Sequence, residues 1–501
     1  MALVLTPHPL APRGAARLLS LFDAMEATAA CRLPPATVEV PAGLTVQFWR
    51  TQAAPRELPE EGCLIGMSVH RGMSQAVRIG RDDRRRHVYL MGQTGTGKTT
   101  LLQTMILDDM RAGAGLCVID PHGDLFRELL GQVPAERIED VVILDPTDIE
   151  HPVGLNMLEY NTEAQRHFLI QELVGIIFRL MQDEYGEQAA TMTGPIFFQH
   201  MRMNLLLAMS NPANPGTLLE FYTIYQEKDY WRRWLPLKTA DPLLERWVKE
   251  SLPSLDYTKP ASEGTSMGGY IGSKFEGFVF DPMLRNIFGQ KRSTLNLREI
   301  MDTGKVLLVN LAKGELTETN SRFLGMMLLA KLQAAAMGRV KLPRHERRDF
   351  SLYVDEFQSL ATQHFVTLLS EARKFGLNLV LANQFVSQIK DPRIVQALFG
   401  NVGTLIAFRL GQMDAELVER ELSPVFTRFD LVNLPNWRAY MTTLINGQTV
   451  QPFSLQTLFD PTPIDAQRAA TVQKRSRQAY GRLRRQAEAE IAKSFQGDTK
   501  S

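Results

Sequence analysis

The chain has 501 residues, enough for two or more compact units, and its 44% hydrophobic and 22% charged content is that of an ordinary globular chain. A formal net charge of +1 excludes an overall basic surface, so a nucleic-acid partner would need a local one. Three well-separated cysteines, Cys31, Cys63 and Cys117, exclude a disulfide framework and a C-x-x-C zinc site, and suit a reducing cytosol.

Residues 1–30 carry Arg13 and Arg17 but no clean apolar stretch, so no signal peptide is expected. Residues 1–75 read as a short, partly β leader broken up by prolines, with strands expected at 37–40 and 44–48. A further strand is expected at 75–79. The charge run Arg81-Asp82-Asp83-Arg84-Arg85-Arg86 reads as a solvated turn, with a phosphate or DNA contact as the sharper alternative.

Next comes Gly92-Gln93-Thr94-Gly95-Thr96-Gly97-Lys98-Thr99, which fits G-x-x-x-x-G-K-[ST]. An apolar strand is expected just before it, at 87–91, and a helix after it, at 99–110. Strand, glycine-rich loop and helix are the context in which this motif cradles phosphate: glycines admit close backbone approach, and the helix N-terminus favours an anion. Lys98 can then reach the β- and γ-phosphates, Thr99 can ligate Mg²⁺, and Thr100 continues the cradle.

Apolar runs at 115–120, 141–145, 305–311, 350–356, 377–384 and 404–409 lack alternation and predict strands of a mainly parallel sheet covered on both faces. Residues 162–295 show helical periodicity and almost no strand signal, so an all-α domain is expected inside an α/β core made of 76–161 and 296–460. Within that second part, the apolar helical run 323–337 is interrupted by Lys331 and is too short to span a bilayer. Residues 461–501 read as a basic tail with one helix at 464–496, carrying Arg468, Lys474, Arg475, Arg477, Arg482, Arg484 and Arg485. That helix is an exposed tail or a contact for nucleic acid or a partner.

Hydrolysis of a bound nucleotide needs an acid to organise the metal and a group to position water. Asp355 and Glu356, at the end of an apolar strand, supply both: Asp355 for the Mg²⁺ shell and Glu356 for the attacking water. Asp120, in Ile119-Asp120-Pro121-His122-Gly123-Asp124, is a rival metal acid without an adjacent second carboxylate. Gln384 closes the next strand and can sense a γ-phosphate or simply cap a turn. Arg373 and Arg409 are candidates for an arginine finger offered to a neighbouring subunit, with charge at a helix C-terminus the plain alternative for Arg373.

Residues 87–100, with the Ile119–Asp124 motif, Tyr353-Val354-Asp355-Glu356-Phe357-Gln358, Glu371-Ala372-Arg373-Lys374-Phe375-Gly376-Leu377 and Ala382-Asn383-Gln384, resemble in order the HerA/FtsK superfamily of ring translocases. Within it they are similar to the conjugative coupling proteins of the TraD/TraG type and to type IV secretion ATPases. The resemblance covers about residues 75–450. It implies a RecA-like P-loop core with an all-α insert, a homohexamer, ATP and Mg²⁺ at subunit interfaces, and DNA in the central channel. By position it implies phosphate and metal contacts for Lys98 and Thr99, hydrolysis at Asp355 and Glu356, a sensor at Gln384 and a finger at Arg373. Coupling proteins usually carry N-terminal membrane helices, and none is expected here. The implied protein is therefore cytoplasmic, recruited to the inner face of the membrane by a secretion-channel, relaxase or nuclease partner. The expected function is ATP-driven DNA transfer in conjugation or type IV secretion. The alternatives are a HerA-like processing or defence translocase working with a nuclease, and a secretion ATPase acting on protein.

Overall fold

Six short, mainly apolar runs in the sequence are each, in the structure, a strand with every residue buried: β3 Val88–Met91, β4 Gly115–Asp120, β6 Val306–Asn310, β7 Phe350–Val354, β8 Leu377–Asn383 and β9 Thr404–Ala407. With β5 (Val141–Leu144) they pair in parallel in the order β9-β3-β8-β7-β4-β6-β5. Burial on both faces is what a parallel sheet between helical layers requires. The structure is a computed structural model that describes residues 49–501 apart from 240, 256, 259–266, 363, 364, 390 and 496–501. Thr51–Ser501 form one compact unit. The strands expected at 37–40 and 44–48 lie outside the described residues.

Beyond β9 the sheet continues in antiparallel fashion through β10 (Arg438–Thr442), β13 (Phe453–Gln456), β1 (Cys63–His70) and β2 (Met73–Ile79), giving eleven strands. A small hairpin, β11 (Leu444–Ile445) and β12 (Gln448–Thr449), fills the β10–β13 connection. Residue 75 therefore falls within β2, and the β1–β2 hairpin is part of the sheet rather than of a leader ending there. β1 escaped the sequence reading because Gly66 and its β-bulge interrupt the alternation of its side chains.

Helix α1 (Lys98–Arg111) follows the P-loop and α2 (Asp124–Gln132) follows β4. Between β5 and β6 the described residues form helices and turns, including α3 (Glu163–Tyr185) and α4 (Pro195–Ala208). Thr162 caps α3 by accepting the Gln165 N–H. After β6 comes α5 (Glu318–Gly338), which packs on α3. The apolar run expected to end at 337 extends over Glu318–Lys341, long and apolar enough to cross a membrane; 78% of its most apolar stretch is buried in the protein, as in a core helix. Lys331 interrupts it by donating its Nζ proton to the Glu159 carbonyl at 2.7 Å, and burial draws its pKa down to about 8.

The C-terminal segment is two helices, α6 (Ala466–Tyr480) and α7 (Arg484–Phe495), not one. They part at Gly481, where an added Cβ would lie 2.8 Å from the Arg477 carbonyl oxygen and 3.1 Å from His151 Cβ. α6 packs on α2 and β5. Its arginines meet acids of the core, Arg475–Glu139 at 3.1 Å and Arg477–Asp148 at 2.5 Å; beyond the break Arg484 meets Glu150 at 3.5 Å, while Arg482 pairs within the segment with Glu490 of α7 at 2.6 Å. Three of the seven basic residues, Arg475, Arg477 and Arg484, are thus paired with the core, so the segment is docked rather than free while most of its surface stays exposed.

The charge run before the P-loop is likewise more than a solvated turn. Arg84 is buried and grips Asp109 of α1 at 2.5 Å and 2.7 Å, and it also donates to the Tyr353 hydroxyl of β7, which itself donates to Asp109 at 2.7 Å. This triad ties the P-loop helix to the strand that ends at Asp355. Removing one partner of a buried pair strands the other charge. Arg84→Met should therefore cost about 3–5 kcal/mol in a urea unfolding titration, whereas a loss below about 1 kcal/mol would mean that Asp109 is readily rehydrated.

Candidate functional site

Parallel register builds the site. Met91 of β3 sits opposite Asn383 of β8, and Leu381 of β8 opposite Val354 of β7, so the three strands end at nearly the same height. The residues that follow them, the P-loop, Gln384 and Asp355-Glu356, emerge side by side at the carboxyl edge of the sheet. Open α/β sheets place ligands at this edge.

The P-loop itself is tightly constrained. A Cβ on Gly92 would lie 2.5 Å from Phe408 Cβ, and one on Gly97 would lie 3.1 Å from Trp437 Cδ1. Gly97 also has φ +116°, a left-handed value that glycine adopts without strain. From there α1 starts, with the first N–H groups of the helix lacking intrahelical partners. Lys98 is almost wholly buried, and its Nζ donates to the carbonyls of Gly92 and, at 3.0 Å, Gln93. Burial lowers its pKa, and the charges of Asp355 and Glu356 work against that shift. Thr94, Gly95 and Thr99 face solvent, with Gln93 and Thr100 half-buried and Thr96 buried.

Asp355 and Glu356 differ in environment although adjacent. Burial pushes the Asp355 carboxyl up to about 6, opposed by the Glu356 N–H that Oδ1 accepts at 2.9 Å and by the Lys98 charge, with Asp120 and Glu356 adding to the rise. Glu356 adopts φ +47°, a left-handed conformation that costs a non-glycine residue of order 1–3 kcal/mol. Its Oε1 accepts a proton from Gln384 Nε2 at 2.8 Å, and Gln384 Oε1 accepts from Thr94 Oγ1 at 2.9 Å. Gln384 thus links the P-loop to Glu356 rather than merely capping a turn. On its other side Glu356 Oε1 lies 3.2 Å from His122 Nε2. His122 had no assigned role in the sequence reading; its signal was a histidine beside a strand-end aspartate and a glycine.

Asp120 is differently occupied. Its Oδ1 accepts the His122 N–H at 3.0 Å and its Oδ2 the Phe126 N–H at 2.9 Å, so it orders the β4–α2 turn. Among the described residues no group of three His, Cys, Asp or Glu side chains could hold a metal by itself. A cation here would share Asp355, Thr99 and phosphate oxygens, the sparse protein coordination usual for Mg²⁺.

The two arginines separate. Arg373 is exposed in the turn Ala372–Phe375, before β8, while Gln384 follows β8 at its other end. At roughly 3.3 Å per residue a seven-residue strand keeps them about 20 Å apart. Arg409 instead lies against its own P-loop, with Nε 3.4 Å from Gln93 Oε1 and an NH1 donating to the Leu434 carbonyl at 3.2 Å. That placement departs from the expected service to a neighbouring subunit.

Residues 65–208 match the family of the helicase HerA central domain. The type 4 coupling protein DotL of Legionella pneumophila is 22% identical over 351 residues, covering 60% of this chain and 44% of that protein. The chain is similar to HerA/FtsK-type P-loop ATPases, and among them to coupling proteins. Among solved structures, plasmid coupling protein TrwB in complex with ADP and Mg²⁺ superposes with a TM-score of 0.58 at 18% identity, over 83% of this chain and 93% of that one. VirB4 of Thermoanaerobacter pseudethanolicus gives 0.50 at 15% identity, over 80% and 98%. These likenesses establish a RecA-like P-loop fold for the eleven-stranded sheet.

A carboxyl that prefers its proton in the fold destabilises the native state increasingly as pH rises from about 4 to about 6, and fully above that. Asp355→Asn should therefore be more stable than the parent at pH 7.5, by on the order of 1–3 kcal/mol without nucleotide or metal, with the advantage gone at pH 4. Denaturant titrations at the two pH values read the difference.

Proposed function

We propose that this chain is an ATP-driven coupling ATPase that moves DNA in conjugative or type IV secretion transfer, working as a homohexamer. The single observation that carries the reading is the continuous line Thr94–Gln384–Glu356–His122 beside the buried Lys98 and the half-buried Asp355. It joins the phosphate loop to the carboxylate placed to orient water, which a binding module has no need of. In this reading residues 92–100 hold ATP, Thr99 and Asp355 share Mg²⁺, and Glu356 orients or deprotonates the attacking water. Gln384 reports the γ-phosphate to Glu356, and Arg409 supports the P-loop within its own subunit. Residues 76–161 and 296–460 form the motor, and 162–295 the helical insert. TrwB, whose fold this chain shares, is a plasmid coupling protein bound in one structure to a non-hydrolysable ATP analogue. The same chemistry is assigned here on that likeness and on the site. Localisation follows the same reading: a partner holds the ring at the inner face of the membrane.

Arg373 completes a site in trans. It stands at the far end of β8 from its own Gln384, so it serves only a neighbour. A second reading, a secretion ATPase that acts on protein, draws on one observation: Arg475, Arg477 and Arg484 of α6 and α7 are paired with acids of the core.

Steady-state ATP hydrolysis with and without single-stranded and duplex DNA separates these. Strong DNA stimulation, lost in Lys98→Ala, is expected; robust turnover indifferent to DNA would favour the protein-directed reading, and no turnover in any assembly state would remove the enzyme reading. Glu356→Gln should slow hydrolysis by about 10²–10⁴ while still binding ATP. Arg373→Ala and Glu356→Gln should each be inactive alone yet recover part of the activity when mixed, because an intact arginine then meets an intact carboxylate across a shared interface. An inactive mixture would place Arg373 outside the trans site.

A further inference from the structure

Trp437 is unusual on three counts. It is a large aromatic residue that is 45% exposed, its φ is +61°, and it stands directly against the P-loop. A left-handed backbone is a genuine strain for a bulky residue and persists only where the surroundings enforce it. Here they do. The Trp437 N–H donates to the Thr96 carbonyl at 2.8 Å, and its carbonyl accepts the Thr457 N–H at 3.1 Å. The indole then projects beside Gly97, one residue before Lys98, and its Cδ1 lies within 3.1 Å of where a Gly97 Cβ would be.

Behind it stands a second exposed aromatic ring. Phe459 is 62% exposed and meets Trp437 edge-on at 5.6 Å between centroids. Its segment is fastened along α1: Thr104 Oγ1 donates to the Leu458 carbonyl at 3.1 Å, and Arg111 holds both oxygens of Asp460 at 2.7 Å and 2.9 Å. Two rings are thus fixed in position at the first turn of α1 but left uncovered. They stand on the β9–β10 side of the P-loop, across β3 from Asp355, Glu356 and Gln384. A core would bury such rings; packing alone gives no reason to strain a tryptophan in order to expose it.

We infer that Trp437, braced by Phe459, is the stacking platform for the purine base of the nucleotide whose phosphates enter the P-loop. The inference rests on the nucleotide reading of that loop. With the phosphates at Lys98 and the hydrolytic carboxylates on one side, the base leaves on the other, where an aromatic face awaits it. Trp437→Gly is the informative variant, because glycine accepts φ +61° without strain and keeps both backbone hydrogen bonds. The indole goes, and the loop that carries it stays.

The full-length chain and its Trp437→Gly and Trp437→Phe variants would be titrated calorimetrically, with Mg²⁺ present, against ATP and against inorganic tripolyphosphate, with Tm recorded for each. Trp437→Gly is expected to lose roughly tenfold in ATP affinity, the scale of one base–aromatic stack, with tripolyphosphate affinity and Tm not reduced. Trp437→Phe should keep most of the ATP affinity. Unchanged ATP affinity in Trp437→Gly overturns the inference. So does an equal loss for tripolyphosphate or a lowered Tm, since each would make the indole a prop for Gly97. Parent protein that binds tripolyphosphate as tightly as ATP refutes the base platform and spares the P-loop reading. Parent protein that binds neither refutes both.

Discussion

The constraint on which the rest depends is the shared register of three parallel strands. β3, β8 and β7 are adjacent and buried on both faces, and their carboxyl ends are level. A one-residue slip in such a sheet would turn every side chain to the opposite layer. It would also move Lys98, Gln384 or Glu356 out of reach of the others. The site therefore draws its geometry from apolar residues such as Leu90, Val354 and Leu381, whose burial resists sliding. Hydrogen bonds between polar side chains, each worth about a kilocalorie net, refine that placement without creating it.

Electrostatics at the strand ends run against local stability. Lys98 is buried beside Asp355 and Glu356, and the Asp355 carboxyl is held near 6 because its charge is poorly solvated. Glu356 adds backbone strain. Natural sequences break local rules of this kind at working sites and compensate elsewhere. Here the compensation is visible in the Arg84–Asp109–Tyr353 triad, which locks α1 to β7 from behind the site. His87 has a similar place. It sits buried between β3 and β8, taking the Leu379 N–H on Nδ1 at 3.1 Å and contacting the Leu369 carbonyl through Nε2 at 3.0 Å. Its pKa falls to about 4 through burial, so it remains a neutral strut at physiological pH.

Much of this was legible in the chain. The P-loop, the apolar runs of the parallel strands and the helical periodicity after residue 162 are local patterns, and Asp355, Glu356 and Gln384 are legible because they stand at the ends of mainly apolar runs. Other features depend on distant partners. The β1–β2 hairpin pairs with β13, nearly four hundred residues away in the chain, so nothing local marked β1 as part of the main sheet. The basic C-terminal stretch looked like a free tail because its acidic partners Glu139, Asp148 and Glu150 belong to another part of the sequence. Arg409 looked like Arg373 until the fold put one against its own P-loop and the other at the opposite end of β8.

By itself the sequence determined the chemistry and the class of fold, because glycine spacing, strand-end acids and runs of apolar residues act over a few positions. Only the tertiary structure decided where each candidate stands and what it touches. Asp120 and Asp355 both end apolar strands, yet one spends its carboxylate on two backbone N–H groups and the other faces Lys98. His122 and Trp437 carry no motif that assigns them a role. They matter because strand pairing and pinned loops bring them to Glu356 and Gly97, and such proximity is a property of packing that no stretch of the chain contains alone.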